Sequence, residues 1–149
     1  MSDFDRFRRL PASECLHLLT ATQVGRVAWN SAQGPQVLPV AYAIHDKRIV
    51  FRTSARGPLA ELADPHLVAF EVDAFDEVMR TGWSVVARGE SAAVKEPEDL
   101  RDLWGQADLV PWAAGSRNLF IRINPDVVTG RMLLRPVPED DDDWNRVTS

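Results

Sequence analysis

Cysteine is nearly absent from this chain of 149 residues: Cys15 stands alone, so no internal disulfide can form. It falls on the apolar side of a predicted helix and reads as a small buried hydrophobe. Lysine is almost as scarce, since the 17 basic residues include only Lys47 and Lys95. The arginine excess reads as codon usage of a GC-rich genome rather than as phosphate recognition throughout. No apolar run approaches the ~20 residues that a membrane helix needs. Met1 to Arg6 has no signal-peptide apolar core, so the expectation is a cytoplasmic protein. Catalytic signatures are missing too: there is no P-loop, no G-x-G-x-x-G after a strand, no C-x-x-C, no H-E-x-x-H and no G-x-S-x-G. His17, His45 and His66 fall on a helix and two turns and read as surface or capping residues, so no metal is expected.

Charge of one sign is not in excess over most of the chain. The net charge is −5, and Glu139 to Asp143 supply five of the 22 acids, leaving 22 − 5 = 17 against 17 bases. A balanced body argues against a nucleic-acid surface. What is present is ordinary for a globular domain: 45% hydrophobic and 26% charged residues, at a length that removes roughly 70% of the unfolded surface from water. Residues 1–135 read as one domain, and 136–149 as an acidic, disordered tail.

The spacing predicts a helix from Pro11, capped by Ser13, with Leu10, Leu16 and Leu19 as its stripe. Three strands follow, at Val24 to Trp29, Gln36 to Ile44 and Ile49 to Thr53, with two short connections. A short helix is predicted over Arg56 to Leu62, ended by Asp64-Pro65. Val68, Phe70 and Val72 alternate with Glu71 and Asp73, and a long strand covers Gly82 to Lys95, with Gly89 as a bend or bulge. A helix over Pro97 to Trp104 and a strand pair, Asn118 to Ile123 and Val127 to Leu134, joined at Asn124-Pro125-Asp126, complete the pattern. Many strands with short turns do not suit a parallel βαβ fold; they predict a mainly β, closed antiparallel barrel.

Two segments bear on chemistry. Glu71 and Asp73 share one strand face and could act as a carboxylate pair, although a solvated face is the commoner use. Phe51 to Leu59 leaves a strand, crosses a loop with Thr53, Ser54 and Gly57, and enters a helix beside Arg52 and Arg56. That is either a plain connection or an anion cradle, because helix N-termini offer amide N–H groups to phosphates.

The order Val24-Gly25-Arg26-Val27-Ala28, Val37-Leu38-Pro39-Val40-Ala41-Tyr42, Ile49-Val50-Phe51-Arg52-Thr53, Val68 to Asp73, Gly82 to Gly89 and Pro111-Trp112-Ala113 resembles the pyridoxamine 5'-phosphate oxidase-like superfamily, in particular its small actinobacterial members. The resemblance covers about residues 8–135. It implies a six-stranded antiparallel split β-barrel, homodimeric, with FMN in a groove shared by two subunits. It also implies that Pro39, Val40 and Ala41 present backbone to the isoalloxazine. Arg52, Thr53 and Ser54, with the loop through Arg56 and Gly57 to Leu59, hold the phosphate on this reading. Ser84 lies near the flavin, and Trp112 reaches the other subunit's cofactor. Trp29 and Trp83 read as core or dimer contacts. The chain departs from the family where relatives commonly place a phosphate-pairing lysine, because Pro58 stands there, and Arg56 is the candidate replacement. The acidic tail would repel a phosphorylated substrate, so oxidation of pyridoxamine phosphate itself is not expected. A flavin-dependent oxidoreductase acting on a small molecule needs no catalytic side chain, since the cofactor carries the hydride or electrons. The alternatives are a non-catalytic holder of flavin, the deazaflavin F420 or haem, and a cofactor-free dimeric interaction module.

Overall fold

The structure, a computed structural model, describes residues 7–106, 109 and 118–134. Pro111 to Ala113, with the Trp112 expectation, and the tail from 136 onward lie outside the described residues.

A short strand β1 (Phe7–Arg9) precedes helix α1 (Ala12–Ala21). Pro11, extended at φ −66° and ψ 157°, is the N-cap, and no side chain caps the helix. Ser13, expected in that role, lies inside α1, because proline's fixed φ already suits the helix entry and moves the start ahead of the serine. Cys15 and Leu19 are the buried face of α1. The Tyr42 hydroxyl donates to the Leu19 carbonyl at 2.5 Å, and burial pushes that phenol up to about 12.

β2 (Val24–Ser31) and β3 (Gly34–His45) pair antiparallel from Val24↔Ala41 to Ser31↔Gly34. Asp46 and Lys47, at φ 50° and 62°, form the left-handed two-residue turn that a tight hairpin requires, and β4 (Arg48–Thr53) returns from it. The predicted helix over Arg56 to Leu62 is a 3-10 helix, Pro58–Ala63, which starts later because Pro58 occupies its first position. Its Leu59 and Leu62 are buried in the barrel core. β5 (Leu67–Asp76), β6 (Thr81–Ala93), α2 (Pro97–Trp104) and β7 (Leu119–Leu133) follow.

The strand order β1-β7-β4-β3-β2-β5-β6, closed by a further β6–β7 pairing, makes a six-stranded antiparallel barrel with β1 added on β7. Inward residues such as Val27, Phe51, Phe70, Val72, Val85 and Ile121 fill the barrel. A second apolar cluster (Val50, Val94, Leu103, Leu109, Phe120) seats α2 against the outside of β4 and β7. Trp29 is buried and Trp83 packs against the core, so both belong to the barrel.

The predicted strand pair across Asn124-Pro125-Asp126 is instead one strand. β7 runs through those residues without turning, because β6 supplies a partner from Ala93↔Ile121 to Gly82↔Leu133. The ladder shifts register at Arg88/Gly89, opposite Pro125, where a strand tolerates a missing N–H. Gly89 therefore marks the bulge from the opposite strand, the extra residue being Asp126 of β7.

Candidate functional site

The ladder between β3 and β4 holds only from His45↔Arg48 to Tyr42↔Phe51. Beyond it β4 stays with β7 through Thr53↔Leu119, while β3 stays with β2. The two central strands thus diverge, and the barrel splits there. Pro39, Val40 and Ala41 lie on one side of the split, and Arg52 and Thr53 on the other. The Tyr42 N–H donates to the Gln23 carbonyl, so even-numbered residues of β3 address β2 and odd-numbered ones face away from it. Pro35 and Pro39 are both odd. Their missing N–H groups cost no β2–β3 bond, and the Val37, Pro39 and Ala41 backbones face the split.

Side chains alternate across the barrel wall. On the outer face the pairings align Pro39, Arg26, Glu71 and Val86 in one row, with Ala41 beside Val24 and Asp73 beside Ser84 in the next. Small side chains make a platform, with a charged group at its centre. Arg26 Nη1 lies 3.1 Å from Asp73 Oδ2 and 3.3 Å from Glu71 Oε1. A groove of about 550 Å³ opens here, lined by Val24, Arg26, Pro39, Asp73, Trp83 and the end of α1. A second, of about 330 Å³, lies between the β2–β3 turn and Gly57-Pro58. Its lining includes Trp29, whose indole N–H donates to the Glu61 carboxylate.

Partial burial, together with the hydrogen bond and charge of Asp73, pushes Glu71 up to about 7, and Arg26 opposes this only in part. A carboxyl raised in the folded state stabilises the fold fully below its unfolded value and loses that contribution as pH rises through about 7. Glu71→Gln is therefore expected to raise the Tm at pH 8 and leave it nearly unchanged at pH 4. Thermal melts at the two pH values check this, and an equal shift at both would disprove the linkage.

The predicted site residues divide by position. Pro39, Ala41 and Ser84 share the outer face, and Arg52 faces outward across the split, its guanidinium 4.2 Å above the Trp104 ring. Val40, Thr53 and Leu59 are buried and can meet a ligand only through their backbone. Ser54, Arg56 and Gly57 belong to the connecting loop, where the Arg56 N–H donates to Ser54 Oγ at 3.2 Å and the Gly57 N–H to the Ser54 carbonyl at 3.2 Å. Two of the amides that a cradle would use, those of Arg56 and Gly57, are thus already bonded. The loop's side-chain contribution to an anion is the exposed Arg56 side chain and the Ser54 hydroxyl proton. Arg26 escaped the sequence reading, because only the β2–β5 register brings it to the acid pair.

A sequence profile described as "Pyridoxamine 5'-phosphate oxidase" matches residues 11–132. The uncharacterized Mycobacterium tuberculosis protein Rv0080 is 33% identical over 126 residues, 81% of this chain and 82% of that protein. The FAD binding protein from Mycobacterium smegmatis superposes with a TM-score of 0.70 at 26% identity, covering 84% of this chain and 97% of that one. A FAD-binding protein from Mesorhizobium loti does so at 0.68 and 31%, covering 85% and 97%. Among the described residues no helix is long and apolar enough to cross a membrane.

Proposed function

The chain belongs to the pyridoxamine 5'-phosphate oxidase family, and on that premise we propose that it is a homodimeric oxidoreductase that binds FMN along the split and acts on a small molecule. The observation that carries this reading is the divergence of β3 from β4 beside a platform of small outward side chains. An isoalloxazine is flat and needs such a face, together with backbone groups to address its polar edge. Two relatives above 25% identity bind FAD, which supports a flavin.

The residues fit the ring better than the phosphate. Pro39 and Ala41 would lie against the ring, with Ser84 at its rim. Arg56 and Ser54 would hold the phosphate chiefly through side chains, since the Arg56 and Gly57 amides are already bonded. Bound flavin supplies hydride or electron transfer, and the chain orients it and excludes water. Arg26 is held by two carboxylates at the edge of the groove, so its charge is fixed in place rather than free to swing.

The outer face also supports a second subunit. Val37 is 60% exposed and Leu67 78%, and with Ala28 and Ala69 they border an apolar groove of about 310 Å³. Apolar patches of this kind on a sheet face mark protein interfaces, and a two-fold pair would cover both copies at once.

Sedimentation velocity followed at the flavin's visible absorbance tests both parts together. The expected result is flavin moving with a species of twice the 16.7 kDa chain mass. Chromatography of the released cofactor then separates FMN from FAD. A monomer would overturn the dimer, and a protein that takes up no flavin would overturn the cofactor; a Soret band would transfer the role to haem.

A further inference from the structure

The β3–β4 hairpin and α2 meet at a cluster that the split does not use. His45, the last residue of β3, and Asp99 and Asp102, one turn apart on α2, each bring one ligand atom, all within 4.8 Å of one another. His45 Nε2 lies 3.7 Å from Asp102 Oδ2. A tetrahedral zinc ion with ligands at about 2.0–2.2 Å separates them by roughly 3.4 Å, so this pair needs to close by only a few tenths of an ångström.

We infer that His45, Asp99 and Asp102 form a binding site for a divalent transition metal, with zinc as the best match. One imidazole nitrogen with two carboxylate oxygens is a mixed set that suits zinc more than calcium or magnesium, which prefer oxygen alone. The three ligands come from two elements that are already fixed. The left-handed turn at Asp46-Lys47 sets where β3 ends, and Leu103, buried in the second apolar cluster, anchors α2. The imidazole is largely buried, with its side chain 20% exposed, whereas Asp102 is 68% exposed and leaves the fourth position open to water. Three protein ligands and a water are the arrangement of an open zinc site. A bound ion would fasten the hairpin tip to α2, near the stack of Arg52 on Trp104. This inference stands apart from flavin binding, because none of its three residues faces the split.

Zinc chloride titrated calorimetrically into the full, EDTA-treated chain tests it. The expected result is one ion per chain and a Tm raised by roughly 5–10 °C at a hundredfold excess over Kd. His45→Ala, and separately Asp99→Asn with Asp102→Asn, should each weaken binding by more than about a hundredfold, beyond the ten- to hundredfold that a supporting residue costs. His17→Ala, on the exposed side of α1, should leave it unchanged. Cobalt in place of zinc should give the intense visible bands of a tetrahedral ion. The metal-free variants should melt where the metal-free parent does, which separates lost ligation from lost folding. No stoichiometric uptake, or a loss of less than about tenfold in either ligand variant, overturns the inference and leaves an ordinary His–Asp ion pair.

Discussion

Gly89→Ala is expected to destabilise the protein by about 3 kcal/mol or more, a large share of the stability of a domain of this size. A Cβ at this position would overlap the Asn124 carbonyl and press on Pro125, both backbone, so no side-chain rotation can relieve it. Only a shift of β7 could, and β7 is the strand that closes the barrel on β6 and carries β4 on its other edge. Gly105→Ala is the matched control. Its added methyl meets nothing within 4 Å, and its backbone at φ −86° and ψ −2° suits alanine. That variant should be neutral or gain up to about 1 kcal/mol. Urea unfolding of both variants beside the parent measures the difference; a loss under 1 kcal/mol for Gly89→Ala would mean that the bulge yields.

The second large effect concerns the cofactor. Arg56→Ala should weaken FMN binding by roughly ten- to a hundredfold, the value of a charge-assisted hydrogen bond. Arg56 carries this weight because Arg52 is stacked on Trp104 and Pro58 has neither charge nor N–H. Pro58→Lys should act in the opposite direction, placing a cation at the start of the 3-10 helix beside Arg56, where the phosphate would lie. Quenching of FMN fluorescence on titration with the parent and both variants decides between them. Flavin that binds with one affinity to all three would put the phosphate elsewhere on the barrel.

The parts of this structure that were legible in sequence are those fixed by near neighbours. The alternation of Val68, Phe70 and Val72 with Glu71 and Asp73 is a local signal of a half-buried strand, and β5 is one. Pro97 followed by Glu98 and Asp99 marks a helix start, and α2 begins at Pro97. Asn124-Pro125-Asp126 carries equally local turn chemistry, yet the chain continues there as one bulged strand, because the partner that decides the matter, β6, is remote in sequence. The site divides in the same way. Strand-end residues such as Arg52 and Thr53 could be singled out by their place after a strand. That Ser84 joins Asp73, or that Arg26 meets Glu71, depends on register, which no spacing along the chain encodes. His45 and α2 are likewise joined only by the fold.

Pro35 and Pro39, placed where their missing N–H groups face the split, have a further effect. Where two strands part, the exposed margin of one would ordinarily recruit a strand from another molecule, the first step towards fibrillar aggregation. A ladder needs a donor at every second residue of that margin, and here two of the three donor positions from 35 to 39 are withheld, leaving only Val37 between them. The opening can therefore stay accessible to a small flat guest while remaining a poor template for a foreign strand. Restoring both donors, with alanine at each position, would be expected to cost the folded barrel little and its long-term solubility much.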